Sequence, residues 1–322
     1  PLKNRGSVRS SLALIATVGL TAVALTGCAA ASEPGTGSGN SSSVIEVSGE
    51  FGATPRVTFP TPLNPSDTQC TEVIEGEGPY LQDGQMALVG AAIYNGTTGD
   101  EVQVVGFGDE DPANLVLSDA VMPAFAKALG CAREGSRVAV AASAEDAFGE
   151  QGNPSAGFEP GDSLVVVMDV QRAFPARADG APRLSRDGFP AVVLAPNGRP
   201  GITVPKGDPS GTTEVEVLRQ GSGETVESGD QVVVHYTGVL WEDGKVFDSS
   251  WERGQPATFT VAEGEGSQVI PGFAKAIIGQ EVGSQVGVIV SPDDGYGAEG
   301  APQGGIPANA TLFFVIDILG VL

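Results

Sequence analysis

The polar side chains best suited to chemistry stand among aromatic ones in the last third of the chain. They include Tyr236, Asp248, Arg253 and Tyr296. His235 is the only histidine, which excludes a histidine-based catalytic triad and a metal site with several histidine ligands. Because His235 alternates with Tyr236 along a strand-like run, we expect it to be a structural hydrogen-bonding residue.

The charge balance excludes other classes of function. The chain has 40 acidic and 17 basic residues and a formal net charge of −23, which excludes a general nucleic-acid grip. The acidic runs at 109–111 and 293–294 lack the ligand spacing of a calcium loop. We therefore predict no metal, no cofactor and no nucleic-acid partner.

The chain contains a long internal repeat. Residues 121–128 align with 269–276, and the match continues without gaps at an offset of 148 to 164–170 and 312–318. Upstream, residues 55–60 match 200–205 at an offset of 145. A period this long indicates a duplicated domain rather than a solenoid, and the change of offset indicates insertions in loops.

Each copy reads as several strands and one short helix. The chain has 46 glycines and 23 prolines, which favours many turns over a helical bundle. Runs 231–236 and 312–319 are typical of strands, and Pro271 to Ile278 is typical of a helix that stops at Gly279. The same pattern predicts a helix over 123–129. We predict an α+β chain of two tandem domains, 49–172 and 186–322, joined by a linker at 173–185.

The first residues read as a targeting segment. A basic stretch precedes an apolar run of signal-peptide length, which ends in Leu25-Thr26-Gly27-Cys28. This run resembles a bacterial lipobox and predicts a signal peptide over 1–27 and lipidation of Cys28; the alternative is an ordinary secretory signal with an incidental cysteine. Residues 28–48 are predicted to be a disordered tether. The protein would then be anchored by lipid alone to the outer face of the bacterial cell membrane.

Lipidation of Cys28 would leave two of the three cysteines, Cys70 and Cys131. An oxidising compartment allows them to pair. We predict this disulfide, with free buried thiols as the alternative.

The second copy resembles the FKBP family of peptidyl-prolyl cis/trans isomerases. The resemblance rests on Val234-His235-Tyr236-Thr237-Gly238, on Asp243-Gly244-Lys245-Val246-Phe247-Asp248-Ser249-Ser250, and on Val269-Ile270-Pro271-Gly272-Phe273. It continues through Tyr296-Gly297 and the run 306–314, so it covers nearly all of 205–322 in order. The family's fold is a curved antiparallel β-sheet wrapped on a short α-helix, and we expect that fold for both domains.

The resemblance also implies a pocket between sheet and helix. Its aromatic walls and floor would be Tyr236, Phe259, Phe273 and Phe314, and its remaining members would be Phe247, Asp248, Arg253, Val269, Ile270, Tyr296 and Ile306. The backbone N–H of Ile270 and the hydroxyl of Tyr296 would bind substrate carbonyls. Ala257, where an aromatic residue is frequent, and the acidic loop 263–268 depart from the family pattern.

The implied function is rotation of X–Pro bonds in exported proteins. The partners would be proline-containing polypeptides and macrolides of the tacrolimus and rapamycin type. The alternative is a non-catalytic chaperone that holds proline-containing segments, or a surface scaffold lipoprotein. The first copy is predicted to be a degenerate domain, because its counterpart of Tyr236 falls at about Gly90, no Phe-Asp pair stands near Glu101, and Phe148 replaces Tyr296.

Overall fold

The computed structural model describes residues 37–322. The predicted signal peptide, Cys28 and the start of the predicted tether lie outside this range. Within residues 37–322, no helix combines the length and apolar character needed to span a membrane.

The first half of the described chain contains eight strands and two α-helices. In chain order they are α1 (Asn40–Ser43), β1 (Glu46–Ser48), β2 (Arg56–Thr58), β3 (Gln69–Ile74), β4 (Met86–Asn95), β5 (Glu101–Val105), β6 (Ala113–Val116), α2 (Pro123–Gly130), β7 (Arg137–Ala142) and β8 (Leu164–Ala173). Short 3₁₀ turns at Gly149–Gln151 and Pro154–Ala156 lead into β8.

The second half repeats this order from β1 onward, with one short added strand in place of α1. Its elements are β9 (Ala181–Pro182), β10 (Ala191–Leu194), β11 (Pro200–Thr203), β12 (Glu214–Gln220), β13 (Gln231–Leu240), β14 (Val246–Ser249), β15 (Ala257–Thr260), α3 (Pro271–Ile277), β16 (Gln285–Val290) and β17 (Leu312–Val321). The 3₁₀ turns Pro292–Asp294 and Pro302–Gly304 precede β17.

The two halves form sheets with the same strand order. The first sheet runs β3-β7-β8-β4-β5 with β6 paired to β4, and the second runs β12-β16-β17-β13-β14 with β15 paired to β13. Every pairing is antiparallel, and β9 extends the second sheet beside β12. The structure confirms the predicted α+β fold with two tandem domains of one architecture.

The helices α2 and α3 form where the sequence predicts them. α3 begins with Pro271, whose fixed φ and missing N–H suit the first helical turn. It ends before Gly279, which adopts a φ of 83° that favours glycine. Phe273, Ala274, Ala276 and Ile277 are buried against the sheet, so this short helix is stabilised by packing rather than by its own hydrogen bonds.

Both faces of each sheet are covered, a feature that the sequence analysis missed. The helices pack on one face, and the hairpins β1–β2 and β10–β11 pack on the other. The residues of β17 are accordingly buried without alternation from Leu312 to Gly320. The two hairpins correspond at the offset of 145 already visible in the repeat, because β1 starts at Glu46 and β10 at Ala191.

The predicted disordered tether, residues 28–48, extends too far into the chain. Residues 40–48 form α1 and β1 instead. Ile45 is buried in the cluster beneath the first hairpin, and the Ser42 hydroxyl lies 2.8 Å from that of Thr71. The prediction overlooked that Ile45 and Val47 alternate toward the same apolar face.

The segment predicted as a linker, residues 173–185, packs against both halves. Phe174 belongs to a buried cluster with Met86 from the first half and Val233 and Leu319 from the second. Ala181 and Pro182 form β9. The domain limits themselves stay a prediction, but this segment is ordered by burial at its start and by strand pairing at its end.

A buried carboxylate on β8 and its counterpart on β17 fix the chain that precedes each sheet. Asp169 pairs with Arg137 over 2.5 Å and accepts the N–H of Gly52 at 2.7 Å. Asp317, its counterpart, accepts the N–H of Ala178 at 2.9 Å and the Gln285 amide at 2.7 Å. Buried carboxylates need such donors. One donor in each half comes from the sheet, and the other comes from the hairpin turn in the first half and from the linker in the second.

Cys70 and Cys131 are joined in a disulfide in the core of the first half. It ties β3 to the end of α2, and both cysteines are less than 5% exposed.

Candidate active site

The residues predicted to line a pocket converge on one concave site between the second sheet and α3. Tyr236 lies on β13, Phe314 on β17, and Phe273 on α3. The site encloses about 380 Å³. Its lining consists of Tyr236, Phe247, Asp248, Phe259, Ser267, Gln268, Val269, Ile270, Phe273, Tyr296 and Phe314.

The floor of the site is a set of aromatic rings packed mostly edge to face. Phe273 stands nearly perpendicular to Tyr236 at 5.7 Å between ring centroids and to Phe314 at 5.4 Å. Phe259 lies 6.0 Å from Phe273, and Phe247 lies 5.4 Å from Phe314. Such pairs favour edge-to-face geometry, so the rings fix one another and keep the floor apolar.

Glycine is required on β13 beneath these rings. A Cβ at Gly238 would lie 2.6 Å from Phe247 and 2.7 Å from Phe314. Gly238 therefore lets the two phenylalanines meet over the strand.

The polar edge of the site is a three-residue cluster. The Tyr236 hydroxyl donates to Asp248, and the Arg253 guanidinium donates both to Asp248 and, over 2.9 Å, to the Tyr236 oxygen. Burial, and then its bond to Asp248, raises the pKa of Tyr236 to about 12. The phenol therefore stays protonated and donates to Asp248 beside the aromatic floor.

Two further groups can bind a carbonyl oxygen. Tyr296 is 39% exposed, and burial together with the Asp248 charge raises the pKa of its phenol, so it remains a donor. Ile270 directly precedes α3. Its N–H donates no hydrogen bond to any residue between 37 and 322, which leaves it free for a ligand.

Not every predicted residue reaches the cavity surface. Ile306 is only 4% exposed and packs in the core behind the pocket. Arg253 lies outside the lining and acts on the site through Asp248 and Tyr236.

Ser267 and Gln268 line the site although the sequence analysis did not select them. Gln268 accepts the N–H of Thr260 at 2.8 Å, and the Ser267 hydroxyl donates to the Val269 carbonyl at 3.0 Å. Both belong to the loop 263–268, whose unusual length was the only available signal.

His235 supports the site from behind β13. It is 3% exposed, its Nδ1 lies 2.8 Å from the Ser250 hydroxyl, and its ring stacks on Trp251 at 3.9 Å. Burial, with a smaller contribution from the Arg253 charge, lowers the pKa of His235 to about 4. The imidazole is therefore neutral near pH 7, in agreement with a structural hydrogen-bonding role.

Strand register corrects the counterpart of Tyr236 in the first half. Tyr236 pairs with Ile316, and the equivalent residue Met168 pairs with Ala91, so the counterpart is Ala91 rather than Gly90. By the same register, Asp248 corresponds to Gln103. The first half therefore lacks the phenol and the carboxylate of the polar edge.

Two aromatic residues of the first half replace Tyr296 and Ile306 and pack against each other. Phe148 and Phe158 stand where the second half has Tyr296 and Ile306, and their ring centroids are 4.6 Å apart. Phe158 is 1% exposed. These rings belong to the core around α2.

The surroundings of the site match a known family. A family model described as FKBP-type peptidyl-prolyl cis-trans isomerase matches residues 222–319. FK506-binding protein 1 of Debaryomyces hansenii is 45% identical over 111 residues, which are 34% of this chain and 95% of that protein. An FK506-binding protein of Streptomyces anulatus is 35% identical over 123 residues, which are 38% of this chain and 97% of that protein.

Among solved structures, FkpA from Escherichia coli is 31% identical and covers 42% of this chain and 53% of its own, with a TM-score of 0.31.

Proposed function

Because the chain belongs to the FKBP-type peptidyl-prolyl cis-trans isomerase family, we propose that its second domain twists X–Pro bonds in the aromatic pocket around Phe273. The observation that carries this proposal is the Tyr236–Asp248–Arg253 cluster at the edge of an otherwise apolar floor. Core packing alone does not require an exposed carboxylate and guanidinium beside a phenol.

The pocket suits a reaction that breaks no bond. Partial double-bond character gives peptide rotation a barrier of about 18–20 kcal/mol, and uncatalysed X–Pro exchange takes tens to hundreds of seconds. The twisted transition state loses conjugation, so its C–N unit is less polar than the planar amide. An apolar aromatic floor therefore stabilises the twisted form relative to the hydrated planar one.

Hydrogen-bond donors then hold the peptide on either side of the proline. The N–H of Ile270, which donates to no residue between 37 and 322, and the hydroxyl of Tyr296 would bind flanking carbonyls. Asp248 orients Tyr236 and Arg253 and is not a general base, because no proton leaves the substrate. Catalysis here is positioning and desolvation.

The test is the rate of cis-to-trans exchange of a short X–Pro peptide with the full chain. Asp248→Ala leaves Arg253 and the Tyr236 phenol without their shared acceptor, and kcat/KM should fall roughly tenfold, which corresponds to about 1.5 kcal/mol for a partly exposed charged hydrogen bond. Asp243→Ala, in the exposed turn after β13, is the matched control. If the wild type binds the peptide without accelerating its isomerisation, the proposed function becomes that of a non-catalytic, proline-binding chaperone.

The same pocket is proposed to bind FK506-type macrolides. Two similar proteins are named for FK506 binding, and the aromatic floor offers the apolar surface that such a ligand needs. Ala257, half-buried on β15, leaves the wall beside Phe259 thinner. FK506 should inhibit the peptide reaction competitively, and inhibition that leaves KM unchanged would place the ligand elsewhere.

The setting is proposed to be the outer face of a bacterial membrane, with exported polypeptides as clients. The lipobox-like run ending at Cys28 supports it. Cys28→Ala expressed from the full gene should move the protein from the membrane fraction to the soluble one. Unchanged fractionation would contradict the lipid anchor.

The first domain is proposed to keep the fold without the activity. Ala91 and Gln103 replace Tyr236 and Asp248 in register, and Phe148 replaces Tyr296. The full chain carrying Tyr236→Ala and Asp248→Ala should approach the uncatalysed rate. Activity comparable to the wild type would assign catalysis to the first domain.

A further inference from the structure

The loop 250–253, which carries Arg253, lies between His235 and the hairpin β10–β11 and contacts both. On its inner side, the Ser250 hydroxyl accepts the Tyr236 N–H at 2.8 Å and lies 2.8 Å from His235 Nδ1. The Ser250 N–H also donates to the Tyr236 carbonyl over 3.0 Å. The loop is therefore tied to the backbone of the residue whose phenol forms the polar edge.

Trp251 is the next residue, and its indole lies between two partners. One face stacks on His235 at 3.9 Å with an interplanar angle of 18°. On the hairpin side lies Gly198, where an added Cβ would come within 3.0 Å of the indole and 2.9 Å of Arg177. Gly198 has a φ of 98°, so both its conformation and its close approach favour glycine.

The hairpin makes a second contact with this loop. Arg199 in its turn pairs with Glu252 over 2.6 Å, and Arg177 from the linker donates to the Pro196 carbonyl over 2.7 Å. The Arg199–Glu252 pair is about half exposed at both ends, so it orients the loop more than it stabilises the fold.

The first domain repeats the contact in simpler form. Its hairpin turn places the Gly52 carbonyl 2.9 Å from the N–H of Gly108. At the offset of 145, Gly108 corresponds to Arg253. Contact between the hairpin turn and this loop therefore belongs to the duplicated unit, while the tryptophan and the arginine belong to the second copy.

We propose that Trp251 is a positioning residue for the polar edge of the pocket, held against His235 by the hairpin β10–β11. It acts through Arg253, two residues along the same loop, and through that residue's hydrogen bonds to Asp248 and Tyr236. The hairpin lies outside the family-matched residues 222–319. The inference rests on the proposed function, because it assigns the geometry of that pocket to a segment the family match does not include.

The experiment is a double-mutant cycle on the full chain, with kcat and KM measured on a short X–Pro peptide. Trp251→Ala should lower kcat/KM roughly tenfold, since a misplaced group of this kind can cost up to a hundredfold. Trp251→Phe, which retains a ring over His235, should recover most of the loss. In an Arg253→Ala background, Trp251→Ala should have little further effect, because residues acting through one group are not additive.

A second variant changes the hairpin side of the indole contact, and it tests the proposal even if Trp251→Ala does not fold. Gly198→Ala places a methyl group against Trp251 and should lower kcat/KM, again with little effect when Arg253 is already alanine. Val193→Ala, on the exposed face of the same hairpin, is the matched control. The chain has two tryptophans, so in a Trp241→Phe background the emission of Trp251 should report its displacement by Gly198→Ala independently of activity.

The outcomes separate the two proposals. If Arg253→Ala leaves the rate unchanged, the proposed pocket edge is wrong. If Arg253→Ala lowers the rate but the Trp251 and Gly198 variants do not, or if their losses add fully to that of Arg253→Ala, the positioning role alone is overturned.

Discussion

The guanidinium carbon of Arg253 lies 5.5 Å from the centre of the Tyr236 ring, and one of its nitrogens donates to the phenolic oxygen over 2.9 Å. Arg253 thus contacts both the face and the hydroxyl of one side chain, while Asp248 accepts from both residues. The single O–H of Tyr236 already donates to Asp248, so Tyr236 would contact a substrate through its ring and not through a hydrogen bond from its hydroxyl.

Tyr236→Phe should therefore reduce activity only modestly. The variant keeps the ring in the floor and the Arg253–Asp248 pair, and it loses hydrogen bonds worth about 1 kcal/mol. We expect kcat/KM for an X–Pro peptide to fall roughly fivefold. Tyr236→Ala, which removes the ring, should cost more, and an equal loss in both variants would show that the hydroxyl itself binds substrate.

His235 should titrate far below the ordinary histidine range. Its pKa is lowered to about 4 by burial and by the Arg253 charge, so the unfolded chain binds a proton that the folded one does not. Its contribution to stability is present above pH 6.5 and is lost as pH falls toward 4, by up to about 3 kcal/mol. As the only histidine, it gives one ring signal in proton NMR, and a midpoint between pH 6 and 7 in the folded protein would contradict the prediction.

Asp317 should act in the opposite direction. Burial raises its pKa to about 6, so its contribution to stability is present below about pH 4 and is lost as pH rises through 6. The free energy of unfolding of the wild type minus that of Asp317→Asn should therefore decrease by up to about 3 kcal/mol between pH 4 and pH 7. Chemical denaturation at several pH values measures it, with exposed Asp187→Asn as control. A difference that stays constant with pH would contradict the raised pKa.

Removal of the disulfide should destabilise the first domain without changing the active site. Cys70 and Cys131 are 61 residues apart in sequence, and closing a loop of that size stabilises by about 2–4 kcal/mol. The double variant Cys70→Ala, Cys131→Ala should lower the free energy of unfolding of the first domain by that amount, as measured by denaturant titration. Isomerase activity should be unchanged at temperatures where the first domain stays folded. A loss of activity at those temperatures would indicate coupling between the domains.

Local patterns in the sequence predicted the fold class and the helices α2 and α3, whereas the pocket floor was predicted from the resemblance to a known family. Pro271 and Gly279 frame the helix, and the ordered motif residues fall on strands that the sheet must bring together. The resemblance carried by these motifs placed Tyr236, Phe273 and Phe314 in one site before the structure was known.

Longer-range packing could not be predicted in the same way. The counterpart of Tyr236 was misplaced by one residue because the change of offset from 145 to 148 leaves the match open between 88 and 91. Strand pairing to Met168 selects Ala91. The hairpin over Trp251 was missed because its residues carry no motif. A short apolar run such as 191–194 does not reveal which surface it will cover.

The equivalent carboxylates Asp169 and Asp317 also determine whether the order of the two halves can be exchanged. In the first half Arg137 pairs with Asp169 and donates to the carbonyls of Gly49 and Glu50. That half therefore binds the turn of its own hairpin β1–β2. In the second half Gln285 stands in place of the arginine and Ala178 supplies a donor from the preceding segment. The second half thus depends on the segment that precedes it, and the two copies are not interchangeable. A gene rearranged to place the second copy first would leave the buried Asp317 carboxylate with the Gln285 amide but without the Ala178 N–H.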